Sequence, residues 1–186
     1  MKRVLIALPF ILLAACNNQS KTESMKTGND SSLSTTAMSD VTYPYDIMYS
    51  SKFEMTDPKY GQTILQLWKD WDNGNLSTHK EMFADSLELH TADGSMMKGT
   101  RDSVIAMAQN YRNSVGSAVS RVDAVTSLRS TDKNENWALV WGMETDTDKK
   151  GKIDSFYLQE TWRFNKDGKP DLLYQFRQNS PPAMKK

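Results

Sequence analysis

The chain has 186 residues, room for one domain with tails. Its 23 Lys and Arg balance 23 Asp and Glu, so no net positive field favours a nucleic-acid partner and none is expected. The single cysteine, Cys16, excludes an intrachain disulfide and a Cys-rich zinc site, and two histidines, His79 and His90, argue against a His-rich metal centre. No metal and no cofactor are expected.

Met1-Lys2-Arg3 is a basic start, and Val4 to Leu12 is an apolar run too short to span a bilayer. Leu13-Ala14-Ala15-Cys16 follows, small residues and then a cysteine. This stretch resembles the lipobox of bacterial lipoproteins. The resemblance implies a signal peptide over 1–15, cleavage before Cys16, a thioether lipid on Cys16, and acylation (palmitate or a similar chain) of the new N-terminus. Each buried methylene adds about 0.8 kcal/mol, so two or three chains would hold the protein durably at a membrane. Asn17 is not the Asp that resembles an inner-membrane retention signal. The expected address is therefore the bacterial envelope, at the outer membrane, facing the periplasm or the cell surface.

Residues 17–42 are rich in Ser, Thr, Asn and Lys. They lack the apolar surface to offset the entropy of ordering, and the composition predicts a flexible tether behind the lipidated Cys16. Its reach is roughly 25–30 Å. Residues 43–56 are more apolar and are expected to pack on the edge of a folded domain over 57–178. Residues 179–186 read as a C-terminal tail.

Asp57-Pro58 has the form of a helix start. Tyr60, Ile64, Leu67, Trp68 and Trp71 recur at helical spacing, and Gly74 stops the run. Thr78-His79-Lys80-Glu81 has the spacing of a capping box, which predicts a short second helix through Phe83. Its His79 is expected to be exposed and without function. Leu87 to Thr91 alternates as a strand, Asp93-Gly94 is a turn, and Met96-Met97 is a brief strand. Thr100 caps a third helix with Val104, Ala108, Tyr111 and Val115 on its buried stripe.

Four strand-like runs follow: Ser117 to Ser130, Asn136 to Thr145, Ile153 to Phe164 and Leu172 to Gln178. In the first, Val119, Val122, Val125 and Leu128 are spaced by threes, which a straight strand does not accommodate, so a bulge is expected. The last three are joined by short Gly turns, an antiparallel meander. Several strands are apolar on both faces, so the sheet needs cover on both sides.

Helix, short helix, strand, turn, helix, then meander is the element order of the NTF2-like superfamily. Trp68-Lys69-Asp70-Trp71-Asp72-Asn73-Gly74-Asn75 resembles the end of its first helix, with Asn75 where Asp is usual. Phe83-Ala84-Asp85 with Asp93-Gly94 through Lys98-Gly99, and Trp162 through Lys169, resemble its turn segments. The domain is similar to the SnoaL-like branch. The resemblance implies an α+β cone in which three N-terminal helices pack on a curved, mostly antiparallel sheet, leaving a pocket at the wide end. It implies that dimers through the sheet occur. Members include isomerases, cyclases, dehydratases and non-catalytic binding modules, so the fold does not choose a function.

Glu160 is the lone acid among Phe156, Leu158, Trp162 and Phe164 on one face of its strand. If that face lines the cone, withdrawal from water would suit it to act as a general acid or base. The plainer reading is a strand-end carboxylate in water or paired with Arg163 or Arg177. His90 and Asp93 stand near the end of the first long strand, and a His–acid pair can move a proton. Trp68, Tyr111, Trp141, Trp162 and Tyr174 are candidate pocket walls, though such aromatics serve first as core. Asp146 to Asp154 half-resembles an EF-hand loop, but Lys150 and Tyr157 stand where ligands belong, so calcium is rejected. The expected function is binding, without catalysis, of a small apolar molecule or a protein partner by a membrane-anchored domain. The alternative is a cofactor-free isomerase, cyclase or dehydratase using Glu160 and His90.

Overall fold

The computed structural model describes residues 41–179. The chain divides into two units, 1–42 and 43–186, and the second carries the fold. The signal peptide, the lipid on Cys16, the tether and residues 180–186 lie outside the described residues.

One sheet holds seven strands in the order β1-β4-β5-β6-β7-β2-β3. These are β1 (Phe53–Met55), β2 (Ser86–His90), β3 (Met96–Thr100), β4 (Ser117–Ser130), β5 (Glu135–Thr147), β6 (Ile153–Phe164) and β7 (Pro170–Asn179). The helices are α1 (Lys59–Asp72) and α2 (Arg101–Ser114). All pairings are antiparallel except β2 with β7. The expected bulge in β4 falls between Val122 and Ala124. It brings both Val122 and Val125 opposite inward residues of β5, Gly142 and Val140, which is why apolar residues spaced by threes fit one strand.

Helix α1 begins where Asp57 Oδ1 accepts the Lys59 N–H at 2.9 Å. Its stripe of Tyr60, Ile64, Leu67 and Trp68 is buried against the sheet. Gly61 allows the close approach, since a Cβ there would stand 2.7 Å from Val125 Cγ2. Its N–H donates instead to Ser127 Oγ at 3.0 Å. The far end of α1 is closed by α2: Arg112 donates from Nε to the Trp71 carbonyl at 2.6 Å and from Nη2 to that of Asp72 at 3.1 Å.

Among the described residues there are two α-helices where three were expected. The segment after Thr78 makes a single 3-10 turn, Lys80–Met82, because Phe83 is already extended and Ala84 N–H reaches the Pro170 carbonyl at 3.0 Å. Pairing with the sheet takes the chain before a second helical turn can form. His79, beside this turn, is half-exposed rather than free: its Nδ1 lies 2.9 Å from Oδ2 of buried Asp70. The second α-helix starts as the sequence predicts, with Thr100 Oγ1 accepting the Ser103 N–H at 3.4 Å.

Register sorts the sheet into two faces. Ala138, Val140, Gly142 and Glu144 of β5 stand beside Trp162, Glu160, Leu158 and Phe156 of β6, facing the helices. Full burial of residues such as Ile64, Val104 and Val140 contributes about 1.5–3 kcal/mol each. The opposite face carries Trp141, Tyr157, Tyr174 and Phe176, the last 61% exposed. Part of that face is covered by the segment before α1. The ring of Tyr49 meets Trp137 edge-on at 5.9 Å, its hydroxyl donates to Glu135, and β1 pairs with β4.

Candidate ligand cavity

Between the helices and the inward face of the sheet lies a cavity of about 140 Å³. Its walls are mainly aromatic and aliphatic: Trp68 and Trp71 from α1, Tyr111 from α2, Leu89 from β2, Leu158 and Trp162 from β6. The space depends on small residues in β5. Gly142 lies under Trp68, and a Cβ there would come within 2.9 Å of the indole Cζ3 and 2.4 Å of the Arg121 carbonyl oxygen.

Two glutamates enter this apolar space, from adjacent strands. Glu160 is 5% exposed and saturated. Its Oε2 accepts from the indoles of Trp68 at 2.6 Å and Trp162 at 2.8 Å, and its Oε1 accepts from Gln175 Nε2 at 2.9 Å. The bridge ties α1, β6 and β7 together through three N–H donors.

Glu144 is nearly as buried, at 6% exposed, and has one donor, the Trp71 indole, which reaches Oε1 at 3.0 Å. Burial pushes its carboxyl from 4.5 up to about 8. The hydrogen-bonded, negatively charged Asp146 two residues on raises it further, and Trp71 opposes the shift. At neutral pH Glu144 is thus a protonated acid inside the cavity. The phenol of Tyr111, on the exposed rim, is also raised, first by desolvation and then by the charges of Asp146 and Glu144. Its ring stacks on Trp71 with centroids 6.0 Å apart.

The structure separates the residues singled out from sequence. Glu160, Trp68, Trp162 and Tyr111 line the cavity. His90, Trp141 and Tyr174 occupy the other face, because each alternates with an inward neighbour: Leu89, Gly142 and Leu173. His90 Nε2 lies 2.7 Å from Glu88 Oε1, and its ring stacks on Tyr174 at 4.9 Å. Asp93 is occupied by its own turn. The Ser95 N–H and the hydroxyls of Thr91 and Ser95 all reach its Oδ1, and they hold its carboxyl at about 2. The loop after Asp146 is a hairpin turn in which Asp148 Oδ1 accepts from the N–H groups of Lys150 and Lys152.

Sequence reasoning passed over Glu144. Its strand is apolar on both sides, so alternation alone did not say which side was inward. The available signal was size: Ala138, Val140 and Gly142 leave the room that an aromatic helix face needs.

No protein-family model and no curated protein matches the chain. Solved structures share its shape. AusH from Aspergillus nidulans is similar with a TM-score of 0.53 at 13% identity, over 69% of this chain and 89% of that one. An LEH-like epoxide hydrolase of M. tuberculosis is similar with a TM-score of 0.53 at 10% identity, over 64% and 83%. An NTF2-like protein of unknown function from Exiguobacterium sp. 255-15 gives 0.50 at 11%, over 63% and 99%. At these identities the likeness shows the fold alone, an α+β domain with the shape that those structures share.

Proposed function

We propose that this chain is a SnoaL-like binding module of the bacterial envelope. It is anchored through lipidated Cys16 at the outer membrane, and it holds a small apolar molecule in the cavity without catalysing a reaction. The observation that carries the binding reading is the cavity itself, apolar-walled and close to the roughly 150 Å³ that accepts a benzene-sized guest. One similar structure is an epoxide hydrolase. Catalysis by Glu160 with His90 would need the two to face each other, whereas they stand on opposite faces and Glu160 is saturated by three donors. The exposed aromatics Tyr157, Tyr174 and Phe176 favour a second role for the outer face, as the surface on which a second copy docks.

Tryptophan fluorescence tests the binding reading, because Trp68, Trp71 and Trp162 all line the cavity. Cyclohexanol should change the emission saturably, and Leu158→Trp, which fills the space, should abolish the response. An emission that does not change, or a response that survives Leu158→Trp, would end the reading. For the anchor, Cys16→Ser should release the protein from the membrane fraction, and an unchanged distribution would exclude lipidation.

A further inference from the structure

The cavity is selective in charge as well as in size. No Lys, Arg or His lines it among the described residues, while Glu144 and Glu160 both do. The nearest cations are engaged elsewhere. Arg177 lies 3.6 Å over the ring of Phe156 and donates to Asp154 Oδ2 at 2.6 Å, and Arg112 closes the end of α1. Five aromatic rings, those of Trp68, Trp71, Phe83, Tyr111 and Trp162, turn onto the same space.

We propose that the ligand of this cavity is a small organic cation, an alkylammonium head held among the aromatic rings with Glu144 as its counter-ion. The proposal rests on the binding reading above and supplies its ligand class. The walls attract a cation through the electron-rich faces of the rings, most strongly those of Trp. A second, independent observation is unsatisfied polarity. Glu144, more than nine-tenths buried and lining the cavity, accepts at Oε1 from the Trp71 indole, and no N–H or O–H donor among the described residues reaches its Oε2. A neutral guest with an acceptor oxygen could take a hydrogen bond from protonated Glu144, but it would gain nothing from the aromatic walls as a cation does.

The proton balance gives the proposal its signature. In the empty site Glu144 carries a proton because it is desolvated beside Asp146. Arrival of a cation favours the carboxylate, so one proton leaves Glu144 for solvent for each cation bound, and the local charge is conserved. The other charged or titratable groups around Glu144 are Asp146 on its own strand and Glu160 on β6, with Tyr111 and Arg112 on α2. Asp72 of α1 accepts from Ser120, which pairs with Glu144, and Arg177 of β7 covers Phe156, which also pairs with it.

The test is calorimetric titration of the full chain with choline and with its uncharged isostere, 3,3-dimethylbutan-1-ol, in paired buffers of different ionisation enthalpy. Choline affinity should rise by about tenfold per pH unit between pH 6 and 8 and level off above. Close to one proton should be released per choline at pH 6.5 and almost none at pH 9. The alcohol should bind at least about tenfold more weakly than choline at pH 8, with no such rise. Glu144→Gln should flatten the choline profile; the profile of the unaltered protein decides the matter even if that variant folds poorly. If the alcohol binds as tightly as choline, or choline affinity is flat with pH and no proton is released, the cation is overturned and the apolar-ligand reading stands. If neither probe binds and cyclohexanol also fails, both readings fall.

Discussion

Glu160 and Glu144 are the same residue type, buried to the same degree, on adjacent strands and facing the same cavity. One accepts from three N–H groups and serves as a bolt between α1, β6 and β7. The other accepts from one and stands beside another carboxyl. Burial alone therefore does not mark a functional acid. The number of donors decides whether a buried carboxylate is a structural joint or a group left ready to change its protonation.

The sharpest way to break this comparison is to remove the bolt. Glu160→Ala leaves two indoles and one amide buried without an acceptor, and it should cost about 3–5 kcal/mol in denaturant unfolding. A loss below about 1 kcal/mol would show that the three bonds are not what holds α1 to the sheet.

Glu144 predicts a pH slope instead. Its carboxyl titrates at about 8 in the fold and at about 4.5 when ordinary. Between those values the unfolded chain has given up a proton that the folded chain keeps, so rising pH favours unfolding. The stability that Glu144 contributes is complete below about pH 4.5 and is lost as pH rises to about 8, at no more than about 1.4 kcal/mol per unit. Glu144→Gln should flatten the interval from pH 5 to 8 and leave the variant the more stable form at pH 8.5. Parallel profiles for the two proteins would refute the assignment.

Gly142→Ala probes the floor on which the two sites rest. The methyl group must displace Trp68 or the Arg121 backbone, so about 1–3 kcal/mol should be lost and the Trp68–Glu160 bond strained. Smallest of all is the outer face. His90→Ala should change stability by less than about 0.5 kcal/mol and leave cavity binding unaltered; a marked loss of binding would mean that the faces are coupled.

Much of the framework was legible because it follows from local rules. The threefold spacing in Ser117–Ser130 implied a bulge, the meander followed from alternation and Gly turns, and the cap at Thr100 followed from its position. The short helix after Thr78 was overread. Capping-box spacing is a local signal, and the pairing of Ala84 with Pro170, far along the chain, overrode it.

The site was only half legible for the same reason. Alternation placed Glu160 among Phe156, Leu158, Trp162 and Phe164, and all of these do face inward. It grouped Leu89 apart from His90 and Gly142 apart from Trp141, but it could not say which group met the helices. That choice belongs to contacts between distant residues: Gly142 leaving room for the indole of Trp68, Gly61 lying against Val125, and Arg112 locking α2 to the end of α1. The sequence by itself determined the order of helices and strands, since propensity, turn chemistry and periodicity act over a few residues. Only the tertiary structure decided which face became the interior, and so which glutamate found three donors and which was left with one, because partner number is set by elements that meet only when the chain is folded.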